Sequence, residues 1–396
     1  MSTPAALYRN AIDLNRFSNS VAKQIVVQYN DIIINAVNQL RTIDELSAPI
    51  KAARLRAILF QLKDSLNSWA GASTGITAVE LQGLAELQTA FVQDQLSRAL
   101  PAGMRDMVNT VEISPQFAQS VVTTDPTQVN VVTLSDDLAA AVQGAPQTYS
   151  LTAAKGATIT LPNGEIVEKA FRGIATDQAE RFSQVVRTGL LTGETTPEIA
   201  RKLAGSLAFG ERAKSIKQLI AAGGSSTSVA NNQVMALVRT SVNQVANSAS
   251  QQVYRANQDI TTTYKYVATL DSRTSAICRA LDGKDFEYGK GPTPPQHFNC
   301  RSTTVPVIDY KRLGVTPPEE GTRASADGQV PANLTYGQWL AGQPKSVQAD
   351  VLGPSKVKYF DALSQKYGPT DAISKFVRDD GSELTLEELS KRIKLS

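Results

Sequence analysis

Residues 270–307 read LDSRTSAICRALDGKDFEYGKGPTPPQHFNCRSTTVPV, and the rest of the chain is best understood outward from them. Both cysteines, Cys278 and Cys300, and the single histidine, His297, lie here, so the soft metal-ligand chemistry of a 396-residue chain sits in one loop-rich block. The run before it, TTTYKYVATL (261–270), alternates and is rich in β-branched and aromatic residues. That pattern predicts a strand delivering Asp271 to the loop at its end. Further back, Val234, Leu237, Val238, Ser241, Val245, Ala249 and Val253 fall on one side of a helix expected over 229–259. Helix, strand and polar loop in this order predict a small α+β domain.

The residue types in the block admit three readings. A His-x-x-Cys pair with a distant cysteine supplies three of the four ligands of a structural zinc site, with Asp271 or Asp282 to complete the shell. Alternatively, Cys278 and Cys300 are small buried apolar residues and His297 donates to a backbone carbonyl, fixing the Pro-Pro loop. Asp271 then caps backbone N–H groups while Arg273 forks onto a carboxylate or carbonyl. A third reading makes Cys278 a nucleophile with His297 as its base, or routes hydrolysis through a zinc-bound water. Against it, there is no Gly-rich phosphate loop, His-Glu-x-x-His or nucleophile elbow to complete such a site. The expectation is therefore a structural motif with no catalytic residue. No cofactor is expected apart from zinc on Cys278, His297 and Cys300, with Asp271 as candidate fourth ligand.

Taken together, Asp271, Arg273, Thr274, Cys278, Leu281, Asp282, Gly283, Pro294, Pro295, His297, Asn299, Cys300 and Arg301 resemble the signature of the phage Mu F-like head morphogenesis family of minor head proteins. The resemblance makes Asp271, Arg273, Thr274, Cys278, Gly283, Pro295, His297, Cys300 and Arg301 the structural motif. It departs at Ser275 and Ser302, where members of the family often carry further cysteines. Residues 186–199 (VRTGLLTGETTPEI) and Val238-Arg239-Thr240 are similar to helical parts of the same family. So are Thr335–Leu340, Gln343-Pro344, Val351–Gly353, Phe376-Val377 and Leu384–Leu389 in the tail, which extends the likeness from Phe171 to the C-terminus.

Outside this region the chain is read from its periods. Leu7, Ala11, Leu14, Val21, Ile25, Ile32, Ala36 and Leu40 recur at helical spacing and predict one long amphipathic helix to about residue 46. A second pattern runs through Leu55, Leu59, Leu62, Leu66 and Trp69, and a third from Ile76 to Leu100, with Gly71, Ser73, Thr74 and Gly75 as the turn between them. These stripes predict the core of a helix bundle, with the first helix long enough to reach a partner chain. Residues 108–145 read as a linker that crosses a surface or adds an edge strand, followed by a hairpin with TYSLTAA and ATITL before the Pro162-Asn163-Gly164 turn and EIVEKAF after it. Helices are expected over 177–191 and from Thr196, which caps, with Pro197 in the first turn. AAGGSSTS (221–228) reads as a flexible connection. Residues 312–331, rich in Pro, Gly and charge, read as a second linker, and Thr335, Asp371 and Thr385 can each begin a short helix, with Trp339 as the anchor.

The fold expected is thus α+β and mostly helical: an N-terminal helical arm or bundle (1–107), a linker with a β-hairpin (108–170), a central domain (171–310), a second linker (311–333) and a helical tail (334–396). No window approaches the ~18 uninterrupted apolar residues of a membrane helix, and the N-terminus has no apolar core behind a basic start. Two cysteines make no disulfide framework, and a reducing compartment argues against a bridge between them. Net charge is +3, with 16 basic against 11 acidic residues over 171–310. These charges are spread out, so they do not nominate DNA as a tight partner.

What the resemblance implies is a minor head protein of a tailed bacteriophage. Such a protein is a low-copy virion component near the portal vertex, present in the host cytoplasm during assembly. Its partners would be the portal protein and the major capsid or scaffold proteins, with a weak DNA contact, a role in DNA ejection, and no membrane before ejection. The alternative from another class is a phage-delivered enzyme or toxin-trafficking module.

Overall fold

Two long helices frame the molecule. In the computed structural model, which describes residues 3–44, 46–113, 130–131, 148–151, 153–154, 161–205, 226–319 and 321–394, α1 spans Thr3–Arg41 and α2 spans Ala48–Ala99. At 1.5 Å per residue they are about 58 and 78 Å long. The bend between them follows from Ile43, whose buried side chain closes the turn, and from Pro49 in the first turn of α2, where its missing N–H costs nothing.

The break expected at residues 71–75 does not form, and α2 is continuous. Trp69, Ala70, Ser73, Thr74, Thr77 and Ala78 are all buried there, so leaving the helix would expose packed surface. The Thr74 and Thr77 hydroxyls donate back to the carbonyls of Ala70 and Ser73, both at 2.8 Å, so two of the hydroxyls in this stretch are accommodated inside the helix.

Trp69 is the point where three helices meet. Its indole Nε1 donates to the Ile25 carbonyl on α1 (3.1 Å), and its ring lies 5.4 Å from Tyr29 and 5.9 Å, edge-on, from Phe171. Phe171 belongs to α3, Val167–Leu191, so EIVEKAF begins a helix and is not the second arm of a hairpin. Val167, Phe171, Ile174 and Ala175 bury one face at helical spacing. The stretch is too short for alternation to have told strand from helix. The Pro162–Gly164 turn is present, closed by Gly164 N to Leu161 O (2.8 Å), and it leads into that helix. Thr148–Leu151 instead pairs in parallel with Thr110–Ile113. The ATITL arm except Leu161, most of the 108–147 linker and residues 206–225 lie outside the described residues.

The next helix, α4 (Thr196–Ala204), is capped by Thr195 and not by Thr196. Thr195 and Glu198 form a reciprocal capping box, while Thr196 is buried and donates to Asp44 (2.5 Å). Helix α5, Ser226–Ala256, runs through the centre of the molecule and packs on α1, α2 and α3. One apolar core therefore extends continuously from Leu7 on α1 to Ala332.

Strand Thr261–Val267 is the middle of a three-stranded antiparallel sheet, flanked by Asp285–Phe286 and Thr303–Ile308. The expected second linker is in part a hairpin, Thr322–Ser325 with Gly328–Pro331, because its one buried charge, Arg323, has a partner in the sheet region. The tail has its own apolar cluster, centred on Tyr336, Trp339, Leu340, Phe360 and Phe376, to which Leu270 contributes from the sheet. Its helices begin at Tyr336 and Leu386 as expected, with Thr335 and Thr385 in capping boxes. Asp371 lies inside the helix Pro369–Ser374. Helices Lys345–Leu352 and Val357–Tyr367 were not anticipated. No helix among the described residues is long and apolar enough to cross a membrane.

Candidate functional site

The block at 270–305 is built against the C-terminal half of α5. Asn243 Nδ2 donates to the Ser302 carbonyl (2.8 Å), Gln251 Nε2 to the Thr304 hydroxyl (3.0 Å) and Tyr254 OH to the Thr304 carbonyl (3.1 Å). A buried polar row on α5 thus fixes the strand that follows Cys300. Earlier on the same helix, the Thr240 hydroxyl donates to its own helix at Ala236 O (2.6 Å) and accepts the backbone N–H of Asn299 (3.0 Å). Asn299 is the one non-glycine residue with positive φ (61°) among the described residues, a conformation asparagine tolerates. The loop carrying His297 and Cys300 is therefore pinned at its turn, just after the cis Pro294–Pro295 bond.

Cys278 approaches from the other side, on the short helix Ala276–Leu281. The fold brings Cys278, His297 and Cys300 together. Cys278 Sγ is 3.3 Å from His297 Nε2 and 3.7 Å from Cys300 Sγ, and Tyr266 OH lies 3.2 Å from Cys278 Sγ. Both cysteines are free and buried, and with Tyr266 and Ala268 they form a small cluster of their own. His297 is half-buried, and its Nδ1 lies 2.8 Å from the Phe298 carbonyl. A carbonyl accepts only, so Nδ1 carries a proton and Nε2 faces the thiols.

The two thiols titrate as one coupled pair. Hydrogen bonding from Cys278, against the opposing effect of burial, draws Cys300 down to about 6, while the same bond and burial push Cys278 up to about 12. His297 is raised, chiefly by its contact with Cys278. Cys278 is 1% exposed, so a substrate has no access to its sulfur.

Asp271 does not join this group, although the sequence offered it as a fourth ligand. Its carboxylate is gripped by Arg301 through two bonds, Nη1 to Oδ2 at 2.5 Å and Nη2 to Oδ1 at 2.8 Å. Burial raises its pKa, but the Arg301 bonds and charge and the Arg273 N–H outweigh that and hold it below the usual carboxylate range. Oδ1 also accepts from the Arg273 backbone (3.0 Å) and the Thr274 hydroxyl (3.2 Å), so Asp271 closes its own turn. The Arg273 side chain is 80% exposed and only 3.9 Å from that carboxylate, so Arg301 is the forked partner and Arg273 is not.

Asp282 is likewise engaged. It accepts Ala268 N (2.7 Å), Tyr336 N (2.6 Å) and both terminal nitrogens of Arg323 (2.9 and 3.2 Å). Gly283, at φ 79°, turns the chain beside it against the Thr335 side chain. Tyr266, Arg323 and Tyr336 were missed by sequence reading. Tyr266 sits in an alternating strand that says nothing of which ring meets sulfur, and Arg323 sits in a stretch whose composition is that of a linker.

Arg301 and Arg273 also line a cleft of about 620 Å³ with Tyr8, Asn15 and Arg16 of α1. Arg239 of α5 donates to Asn19 of α1 (2.8 Å), and its pKa is lowered by burial and then by the charges of Arg273 and Arg301.

Compared with known proteins, residues 180–305 match the family described as phage Mu protein F like protein. The matched span holds α5, the first two strands of the sheet and the Cys278, His297 and Cys300 cluster, and it ends within the strand Thr303–Ile308, before the tail. Neither the curated proteins nor the solved structures yielded a match.

Proposed function

We propose that this chain, whose residues 180–305 match the family described as phage Mu protein F like protein, is a minor head protein of a tailed bacteriophage, incorporated at the portal vertex during procapsid assembly. The observation that carries this reading is the family match falling on a block held from two sides: by α5, itself tied to α1 through Arg239 and Asn19, via Thr240 and Asn243, and by the tail through Tyr336. A block fixed in this way suits a part that must hold its shape between other subunits. Cys278, buried beside Tyr266 and Cys300, suits packing better than nucleophilic attack.

In this reading the portal protein is the first partner and the major capsid or scaffold protein the second. Contact with DNA, and passage with it during ejection, would engage the cleft where Arg16 and Arg273 are exposed. The test is quantitation of the chain in purified particles from infections with and without portal protein, followed by localisation in a virion map. A few copies per particle that disappear without portal support the reading. Absence from particles, or a hydrolytic or group-transfer activity lost in a folded His297→Ala variant, overturns it.

A further inference from the structure

We propose that Cys278, His297 and Cys300 bind a zinc ion whose fourth position is held by a water molecule beside the Ser275 hydroxyl. The proposal concerns the folding of this chain, and it stands or falls independently of the virion role.

In a tetrahedral site with Zn–S near 2.3 Å and Zn–N near 2.0–2.1 Å, two sulfurs are about 3.8 Å apart and a sulfur and a nitrogen about 3.5 Å apart. The distances here are 3.7 Å between Cys278 Sγ and Cys300 Sγ, and 3.3 Å between Cys278 Sγ and His297 Nε2. All three donor atoms lie within 4.8 Å of one another. They come from two separate segments, a helix and a turn more than a dozen residues away, so local chain geometry does not impose the spacing.

The surroundings are those of a ligand set. His297 donates through Nδ1 to the Phe298 carbonyl, which leaves the Nε2 lone pair directed at the sulfurs, the arrangement that orients metal-bound imidazoles. The Tyr266 hydroxyl, 3.2 Å from Cys278 Sγ, is placed to donate to a thiolate. Ser275 Oγ is buried at the N-cap of the same short helix, three residues before Cys278, with only the Cys278 thiol beside it. A hydroxyl in this position, at the edge of three convergent donors, is placed to hold a bound water. Both neighbouring carboxylates, Asp271 and Asp282, are committed to arginines, so the fourth ligand is not one of them.

The experiment uses the full chain, expressed with zinc in the medium and purified without chelator. Mass spectrometric metal analysis should find about one zinc per chain, and cobalt(II) exchanged into the site should give a thiolate charge-transfer band with visible absorption of tetrahedral strength. Cys300→Ser and His297→Ala should each lose the metal. Because those variants can fail to fold, Ser275→Cys supplies a second arm: a thiolate in place of water should raise zinc affinity about tenfold or more in competition with a chromophoric chelator. Protein that folds without metal and takes up neither zinc nor cobalt overturns the proposal. So does a cobalt spectrum lacking the thiolate band, or zinc retained at full stoichiometry when both His297 and Cys300 are replaced.

Discussion

Arg323 and Asp282 form the least exposed ion pair among the described residues, with side chains 4% and 0% accessible and Nη2 2.9 Å from Oδ1. Arg323 also donates to the carbonyls of Ala268 and Leu334, and Asp282 accepts the backbone N–H of Tyr336. One pair thus joins the sheet, the hairpin at 322–331 and the start of the tail, so the tail is docked on the Cys/His block and not tethered to it.

Removing one partner leaves the other charge buried. Arg323→Ala should therefore destabilise the chain by about 3–5 kcal/mol, whereas Arg323→Met combined with Asp282→Asn should cost clearly less. Urea denaturation of the three proteins measures this, and limited proteolysis should cut between 313 and 335 in the single variant first. An Arg323→Ala protein as stable as wild type would show that the pair does not hold the tail.

The Asp271–Arg301 fork makes stability depend on pH in a defined direction. Because the Asp271 carboxyl is held below its ordinary value in the folded chain, its contribution is fully present above the unfolded value of about 3.9 and is lost as pH falls through the lower folded value. Thermal melts between pH 6 and the acid limit should show this fall in wild type, reduced in Arg301→Gln. Identical acid profiles for the two proteins would remove the fork from the account.

Gly337 packs where no side chain fits. A Cβ there would lie 2.1 Å from the Pro369 carbonyl oxygen and 2.9 Å from the Thr370 Cα, both backbone atoms that cannot swing aside. Gly337→Ala should cost about 1–3 kcal/mol through overpacking of the tail. Gly342→Ala, whose nearest contacts would be at 3.5 and 3.7 Å, serves as the control and should be nearly neutral or slightly stabilising. Denaturant midpoints compare the pair, and equal midpoints would count against the close approach of the two tail helices.

With zinc present, His297→Ala and Cys300→Ala should each destabilise by several kcal/mol, against about 1 kcal/mol or less for Ser275→Ala, because ligand binding here is folding energy. Chelation should lower the wild-type melting temperature and leave the two ligand variants unchanged. Small and equal losses at all three positions would deprive the block of its structural centre.

Much of this was legible beforehand, and the misses have causes. Periodicity revealed α1, α5 and the strand at 261–267, since burial on one face imposes spacing on the residues themselves. It failed at residues 71–75, where Gly, Ser and Thr suggest a turn in isolation but are overridden by the packing of Trp69 and Ala78 on either side. It failed at 165–171 because seven residues fit either period. Asp271 looked like a ligand because a carboxylate beside a Cys/His block is chemically suited to metal. Its actual partner, Arg301, lies 30 residues on, and only the fold brings them together.

The residues alone determined which chemistry this chain has at its disposal: two thiols and one imidazole in one block, helices at their proper period, and the likeness to a phage head family that its motif carries. Which groups meet was decided by tertiary structure. Thr240 under the His297 loop, Tyr266 against Cys278 and Arg323 on Asp282 are contacts between positions 12 to 59 residues apart. Hydrogen bonds and ion pairs act over about 3 Å of space, and sequence spacing records that proximity only within a turn of helix or a rung of sheet.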